Sequence, residues 1–145
     1  MNKPAKEGDM GTEDQDRAAS RLPGDQRDAL QVSVTRLGDG RVVVTAAGDL
    51  DMATAPLFEN AVSAEPGPTT TAVVVDLSGL TFLASAGITE LVALNTRIPA
   101  AGARLLLIPG SRIVRRPLEL MGLLDLFSVY PDQAAALDAA PITSA

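Results

Sequence analysis

The chain has 145 residues, of which 46% are hydrophobic and 21% charged, and its formal net charge is −6. These values are typical of one globular domain with its own core. The chain has no cysteine and no histidine, which excludes disulfides, thiolate or imidazole metal ligands, and a histidine general base. The acidic balance and the 3% aromatic content argue against nucleic-acid binding through a basic surface or base stacking.

Residues 1–29 mix charged and small polar residues without periodic apolar positions. Such a segment buries too little surface to offset the entropy lost on ordering. We therefore expect a disordered extension over residues 1–29 and a folded domain over residues 30–141. No apolar run resembles a signal-peptide core or approaches the ~20 residues of a membrane-spanning helix. The sequence predicts a cytoplasmic protein without a membrane segment.

Within the domain, β-branched runs bounded by glycine and proline predict strands, and apolar residues at helical spacing predict helices. The predicted strands are residues 31–36, 41–47, 71–77, 103–108 and 127–130. The predicted helices are residues 55–65, 85–98, 112–120 and 131–140. Thr54 precedes Ala55 and Pro56, which indicates a threonine cap on the first helix. Pro117 lies inside the third helical pattern and is expected to kink or split that helix.

The resulting order, ββαβαβαβα, predicts an α/β fold with a mixed, mostly parallel sheet, an N-terminal β-hairpin and about four helices. The hairpin turn is Gly38-Asp39-Gly40. In such sheets the loops that follow the carboxyl ends of the strands carry the functional groups. Here those loops are residues 48–53, 78–87 and 109–112.

These loops support neither of two kinds of enzyme site, a nucleotide-binding site or a serine hydrolase site. Neither GxxxxGK[ST] nor GxGxxG is present, so no phosphate-binding fingerprint supports a nucleotide site. Ser85 follows a strand and precedes a helix, but the motif lacks the first glycine of GxSxG and no histidine can serve as its base. Asp49, Asp51 and Asp76 are interpreted as turn, cap and interface residues. We predict no catalytic residue, no metal site and no cofactor.

Ser85 has two remaining interpretations. A serine at a helix N-terminus can cap the helix, with Gly87 allowing close packing. Alternatively it is a phosphorylation site, because a helix N-terminus tolerates the added negative charge. A second feature is the basic trio Arg112, Arg115 and Arg116, which lies on one helix face. It is either a solvated surface or a contact for an acidic partner.

Three sequence blocks carry a resemblance to a known family. Gly48–Pro56, Val75–Ile88 and Leu118–Leu123 resemble, in order and spacing, the STAS domain family, and most of all its bacterial anti-sigma factor antagonists. The resemblance covers about residues 31–140. It implies a single α/β domain of the STAS (sporulation anti-anti-sigma-like) fold.

The resemblance also implies a function. In this family the unphosphorylated antagonist binds a serine kinase of the GHKL ATPase type that doubles as the anti-sigma factor, and this binding frees the sigma factor. Phosphorylation of the serine at the start of the second helix, here Ser85, dissociates the complex, and a serine phosphatase restores it. This implies a non-enzymatic protein switched at Ser85.

The family pattern further assigns residues around that serine. The implied partner-binding residues are Asp51, Thr54, Ala84, Ser85, Ala86, Gly87 and Thr89. The implied structural residues near the site are Asp76, Ser78 and Gly79. Many members carry aspartate immediately before the serine, where this chain has Ala84. That departure leaves open a second STAS role without phosphorylation, as a scaffold in a signalling assembly or an accessory subunit of a transporter.

Overall fold

The computed structural model describes residues 29–143, and the sequence prediction for residues 1–28 lies outside this range. The strands are β1 (Leu30–Arg36), β2 (Arg41–Leu50), β3 (Ala72–Leu83) and β4 (Arg104–Ile108). The helices are α1 (Ala55–Val62), α2 (Ser85–Ala100), α3 (Arg112–Leu120) and α4 (Gln133–Ala139), with a 3₁₀ turn at Leu124–Leu126. The predicted α/β class is confirmed.

The strands form one sheet in the order β1-β2-β3-β4. Strands β2, β3 and β4 are parallel, as expected when helices connect them. The connection between β1 and β2 is a short turn in which the N–H of Leu37 donates to the carbonyl oxygen of Arg41 over 3.0 Å. Gly38 and Gly40 in this turn have φ angles of +86° and +93°, which glycine adopts without strain. The predicted N-terminal hairpin is therefore present.

Apolar side chains fill both faces of the sheet. On one face α4 packs against β3 and β4. The core cluster on this face consists of Val43, Ala72, Val74, Leu106, Ile108, Ala136 and Ala140. Because side chains alternate along a strand, Val73 and Val75 point to the opposite face. There α1 packs against β2 and α2 packs against β3 and β4, and Phe58 of α1 is fully buried.

Strands β2 and β3 are longer than the sequence predicted. They continue to Leu50 and Leu83 because they pair with each other that far, with two irregularities in register. Gly48 has a φ of +105° at one irregularity. A Cβ at Gly79 would lie 2.9 Å from the Cβ of Ala47. These glycines, interpreted as strand ends, instead allow two strands to continue side by side past the end of β4.

Two other predictions need correction. The expected strand over residues 127–130 is a single bridge, in which Leu107 pairs with Val129. Pro117 does not split α3, which is one continuous helix. A proline in a nine-residue helix removes one backbone hydrogen bond, and the buried Val114 and Leu118 hold α3 to the core despite that loss.

Candidate functional site

The carboxyl ends of β2 and β3 bring two chain segments together. Leu50 and Leu83 are partners in the sheet, and the N–H of Ala84 donates to the carbonyl oxygen of Leu50 over 2.9 Å. The turn that begins at Asp51 therefore lies beside the start of α2. This is the edge of the sheet at which the sequence placed the functional loops.

Ser85 is the first residue of α2, and its side chain is exposed. The N-cap position belongs to Ala84, so the interpretation of Ser85 as a helix cap is wrong. The Ser85 hydroxyl makes no hydrogen bond to any residue in the described range 29–143. Thr89, one turn later and also exposed, donates from Oγ1 to the Ser85 carbonyl oxygen over 3.1 Å. The Ser85 hydroxyl is thus presented to solvent at the N-terminal turn of a helix.

Asp51 organises the neighbouring turn. Its Oδ1 accepts hydrogen bonds of 3.0 Å from the N–H groups of Ala53 and Thr54. Thr54 occupies the N-cap position of α1 but makes no side-chain capping bond. Instead its hydroxyl donates to the carbonyl oxygen of Asp49 over 2.8 Å. Thr54 is therefore the N-cap residue, as predicted, but its side chain does not cap the helix. This side chain is buried and contributes to the site by shaping the turn.

Gly87 determines how closely α2 approaches the strand ends. It is buried in the first turn of the helix. A Cβ at this position would lie 2.7 Å from Leu50 Cγ and 2.7 Å from Leu83 Cδ1, closer than carbon atoms pack. The close packing expected of this glycine is thus present. Ala84 and Ala86, on either side of Ser85, are partly exposed.

Asp76, Ser78 and Gly79 lie farther back along β3. Asp76 Oδ1 accepts from the N–H of Ser78 over 3.0 Å and from its hydroxyl over 2.6 Å. Asp76 Oδ2 accepts from Gln133 Nε2 over 2.7 Å. Asp76 therefore joins the middle of β3 to the start of α4, and its carboxylate oxygens are occupied by partners within the fold.

Two exposed apolar residues at this edge of the sheet were not identified as site residues from the sequence. Met52 follows Asp51 in the turn and is 80% exposed, and Phe82 precedes Leu83 in β3 and is 50% exposed. The predicted strand ends at residue 77 and puts Phe82 in the loop that follows, whereas a phenylalanine within a strand usually faces the core. Here the register irregularity between Gly48 and Asp49 changes the alternation, and Phe82 faces solvent.

The surface of α2 beyond Ser85 is acidic where it meets α1. Burial raises the pKa of the Glu90 carboxyl, and the nearby negative charge of Glu59 raises it further. Arg97 on the same helix opposes this shift. Helices α1 and α2 pack against each other, so the two carboxylates belong to one surface shared by the two helices.

A cleft of about 620 Å³ lies at the opposite edge of the sheet, beside the hairpin turn. Its lining includes Arg36 and Arg41. Arg36 pairs with the Glu65 carboxylate, and Arg41 pairs with Asp39 over 2.6 Å, which lowers the pKa of the Asp39 carboxyl. This cleft is at the start of β2 and is separated from Ser85 by the length of β3.

The described part of the chain contains no group of three or more acidic side chains placed to hold a metal ion. None of its helices is long and apolar enough to cross a membrane.

Comparison with known proteins identifies the family. The family model described as the STAS domain matches residues 32–136. The chain is 31% identical over 103 residues to the anti-sigma-F factor antagonist RsfB of Mycobacterium tuberculosis, a match that covers 71% of this chain and 83% of that protein. The chain therefore belongs to the STAS domain family.

Solved structures agree with this assignment. The crystal structure of an anti-sigma factor antagonist from Mycobacterium paratuberculosis matches with a TM-score of 0.70 and 34% identity, covering 78% of this chain and 95% of that one. The anti-sigma factor antagonist SpoIIAA of Bacillus, in its unphosphorylated form, matches with a TM-score of 0.63 and 19% identity. That match covers 74% of this chain and 94% of SpoIIAA, and it shows the shared fold.

Proposed function

We propose that this protein is an anti-sigma factor antagonist that binds its anti-sigma factor when unphosphorylated and is released by phosphorylation of Ser85. The observation that carries the proposal is the exposed Ser85 hydroxyl in the first turn of α2. The RsfB relative, whose name describes an anti-sigma-F factor antagonist, supports the same function.

The position of Ser85 suits reversible modification. A phosphate brings about −1.5 to −2 charges and three hydrogen-bond acceptors. At the N-terminal turn of a 16-residue helix it meets the positive end of the helix dipole and unpaired backbone N–H groups. The folded domain therefore tolerates the modification, and its main effect is on what binds at this edge.

The surroundings of Ser85 explain why a phosphate would dissociate a complex. The exposed Met52 and Phe82 provide apolar surface for a partner at the same edge. A dianion buried there without a cationic partner loses its hydration. A loss of ~3 kcal/mol corresponds to a roughly hundredfold weaker complex.

The partner we propose is an anti-sigma factor that is also a serine kinase of the GHKL ATPase type, with a serine phosphatase reversing the modification. The kinase must accept Ala84 immediately before the serine. Because Ala84 contributes only a methyl group, recognition of the serine rests on the surrounding turn and on the backbone of α2.

The test is a binding measurement with the purified anti-sigma partner by isothermal titration calorimetry. We expect Ser85→Asp to bind at least about tenfold more weakly than the unmodified protein. Ser85→Ala should bind normally. Ser33→Asp provides the matched control, because Ser33 is an exposed serine on β1. Mass spectrometry after incubation of partner, ATP and protein should locate the phosphate on Ser85.

Equal binding by Ser85→Asp and the unmodified protein would overturn the switch. If no phosphate is transferred to Ser85 either, the result favours the second STAS role that the departure at Ala84 suggests. In that role the protein is a scaffold or an accessory subunit that works without phosphorylation. Loss of binding in Ser85→Ala as well would assign the serine a contact role instead of a switching role.

A further inference from the structure

The arginines of the described range fall into two groups. Four of the seven bind groups within the fold. Arg36 and Arg41 pair with the carboxylates of Glu65 and Asp39. Arg97 donates to the carbonyl oxygens of Val62 and Glu65, and Arg104 donates to the Tyr130 hydroxyl and the Ala139 carbonyl oxygen. The other three are Arg112, Arg115 and Arg116 on α3. Within residues 29–143 these three make no hydrogen bond or ion pair.

The stability of α3 does not account for these arginines. A positive charge at the start of a helix opposes its dipole, and Arg112 lies there with no acidic residue in the first turn to compensate. The helix is held to the core by Val114 and Leu118, which are buried on the opposite side. Among the residues that the structure describes, this basic cluster has no partner, and it is therefore available for an external one.

Exposed apolar side chains share this surface. Ile113 and Leu120 are seven residues apart, two helical turns, and Arg116 lies between them on the same side. Leu120 is 71% exposed and Met121, at the end of the helix, 56%. We define the α3 surface as Arg112, Ile113, Arg115, Arg116, Leu120 and Met121.

We propose that the α3 surface docks an acidic amphipathic segment of a partner protein. Guanidinium groups bind carboxylates with two parallel hydrogen bonds, and Ile113 and Leu120 supply adjoining apolar contacts. The charge is complementary only locally, because the chain as a whole carries −6. A short acidic segment meets only the local positive charge of α3, whereas an extended nucleic acid or an anionic membrane also meets the net negative charge of the chain. A phosphate backbone also gains nothing from the exposed leucine and methionine. The α3 surface acts independently of Ser85 and extends beyond the proposed switch.

The experiment uses the full chain and a fluorescein-labelled synthetic helical peptide with glutamate on one face and leucine on the other. Fluorescence anisotropy should show saturable binding that weakens with salt. The triple variant Arg112→Gln, Arg115→Gln, Arg116→Gln should bind about tenfold more weakly at low salt. Ile113→Ser with Leu120→Ser should also weaken binding. Glu119→Gln is the matched control on the same exposed helix and should bind at least as well as the unmodified chain.

Several results would overturn the proposal. These are no saturable binding of the peptide, equal binding by the triple variant, or tighter binding to a DNA duplex or a phosphatidylglycerol vesicle. Circular dichroism verifies that each variant is folded. Ser85→Asp should bind the peptide like the unmodified chain, so failure here is distinguishable from failure of the serine switch.

Discussion

The backbone N–H of Ala84 donates a 2.9 Å hydrogen bond to the carbonyl oxygen of Leu50. This bond connects the residue before Ser85 to the residue before Asp51. The two segments that surround the proposed switch are thus fixed to each other through backbone atoms. Their relative position depends on the packing beneath this bond, where Gly87 contacts Leu50 and Leu83.

Replacing Gly87 by alanine tests that packing. Alanine favours a helix, but its Cβ would overlap Leu50 and Leu83 at 2.7 Å. We expect Gly87→Ala to lower the free energy of unfolding by about 2 kcal/mol. Urea denaturation measures this change. Gly67→Ala is the control, because its Cβ would lie 3.6 Å from Thr70 Oγ1, an ordinary contact. A Gly87→Ala variant as stable as Gly67→Ala would contradict the close approach of α2.

Ala84→Asp should stabilise the protein. Ala84 is the N-cap of α2, with an extended backbone at φ −99° and ψ 172° and no side-chain capping bond. An aspartate there accepts a hydrogen bond from the first helical turn and complements the dipole, which adds about 1 kcal/mol. The melting temperature by differential scanning calorimetry should rise.

The control for this change is Ala101→Asp, at the opposite end of the same helix. An acidic group at a helix C-terminus is unfavourable, so this variant should be neutral or less stable. Equal shifts in both variants would mean that the effect comes from added charge and not from capping. Ala84→Asp also makes the chain match the aspartate of many family members, so its rate of phosphorylation can be compared with that of the unmodified chain.

Arg36 and Glu65 form a partly buried ion pair. The Glu65 side chain is only 1% exposed, and its Oε1 has no hydrogen-bond partner within the described residues. Arg36→Met leaves a buried carboxylate without its cation and should lower the free energy of unfolding by about 3 kcal/mol. Adding Glu65→Met removes the buried charge and should restore most of that loss. Chemical denaturation of both single variants and the double variant completes the cycle. Additive losses would show that the pair is not coupled.

Glu90→Gln should stabilise the protein at neutral pH. Burial and Glu59 raise the pKa of Glu90 above its usual 4.5 in the folded state. The folded chain therefore holds this proton more tightly, and stability falls as pH rises through the raised pKa. Glutamine avoids that loss, which we expect to be below about 1 kcal/mol because solvent screens a partly exposed group.

The stability difference between Glu90→Gln and the unmodified protein should depend on pH in a defined direction. Well below the usual pKa of 4.5 the glutamate is protonated in both the folded and the unfolded state, so the two proteins should be equally stable. The advantage of Glu90→Gln should appear as pH rises above the usual pKa and level off above the raised one. Unfolding experiments across this pH range would contradict the prediction if the advantage were largest in acid.

The order of the elements, apart from the expected fifth strand over residues 127–130, was predictable from the sequence because its signals are local. Alternating or β-branched runs identified all four strands of the sheet, and apolar residues at helical spacing identified the four helices. The position of Ser85 at the start of α2 follows from the same local pattern together with the STAS resemblance. The charge, the absence of histidine and cysteine, and the basic trio on α3 are also properties of the sequence itself.

Only the tertiary structure determined where the strands end and which side chains face solvent. Strands β2 and β3 extend to Leu50 and Leu83 because they pair with each other across a long sequence separation, which no local pattern reports. Their register irregularities expose Phe82, although a phenylalanine in a strand is normally buried. The position of a helix cap also depends on hydrogen-bond geometry. In the folded chain Ala84 is the N-cap residue of α2, and the Ser85 hydroxyl faces solvent.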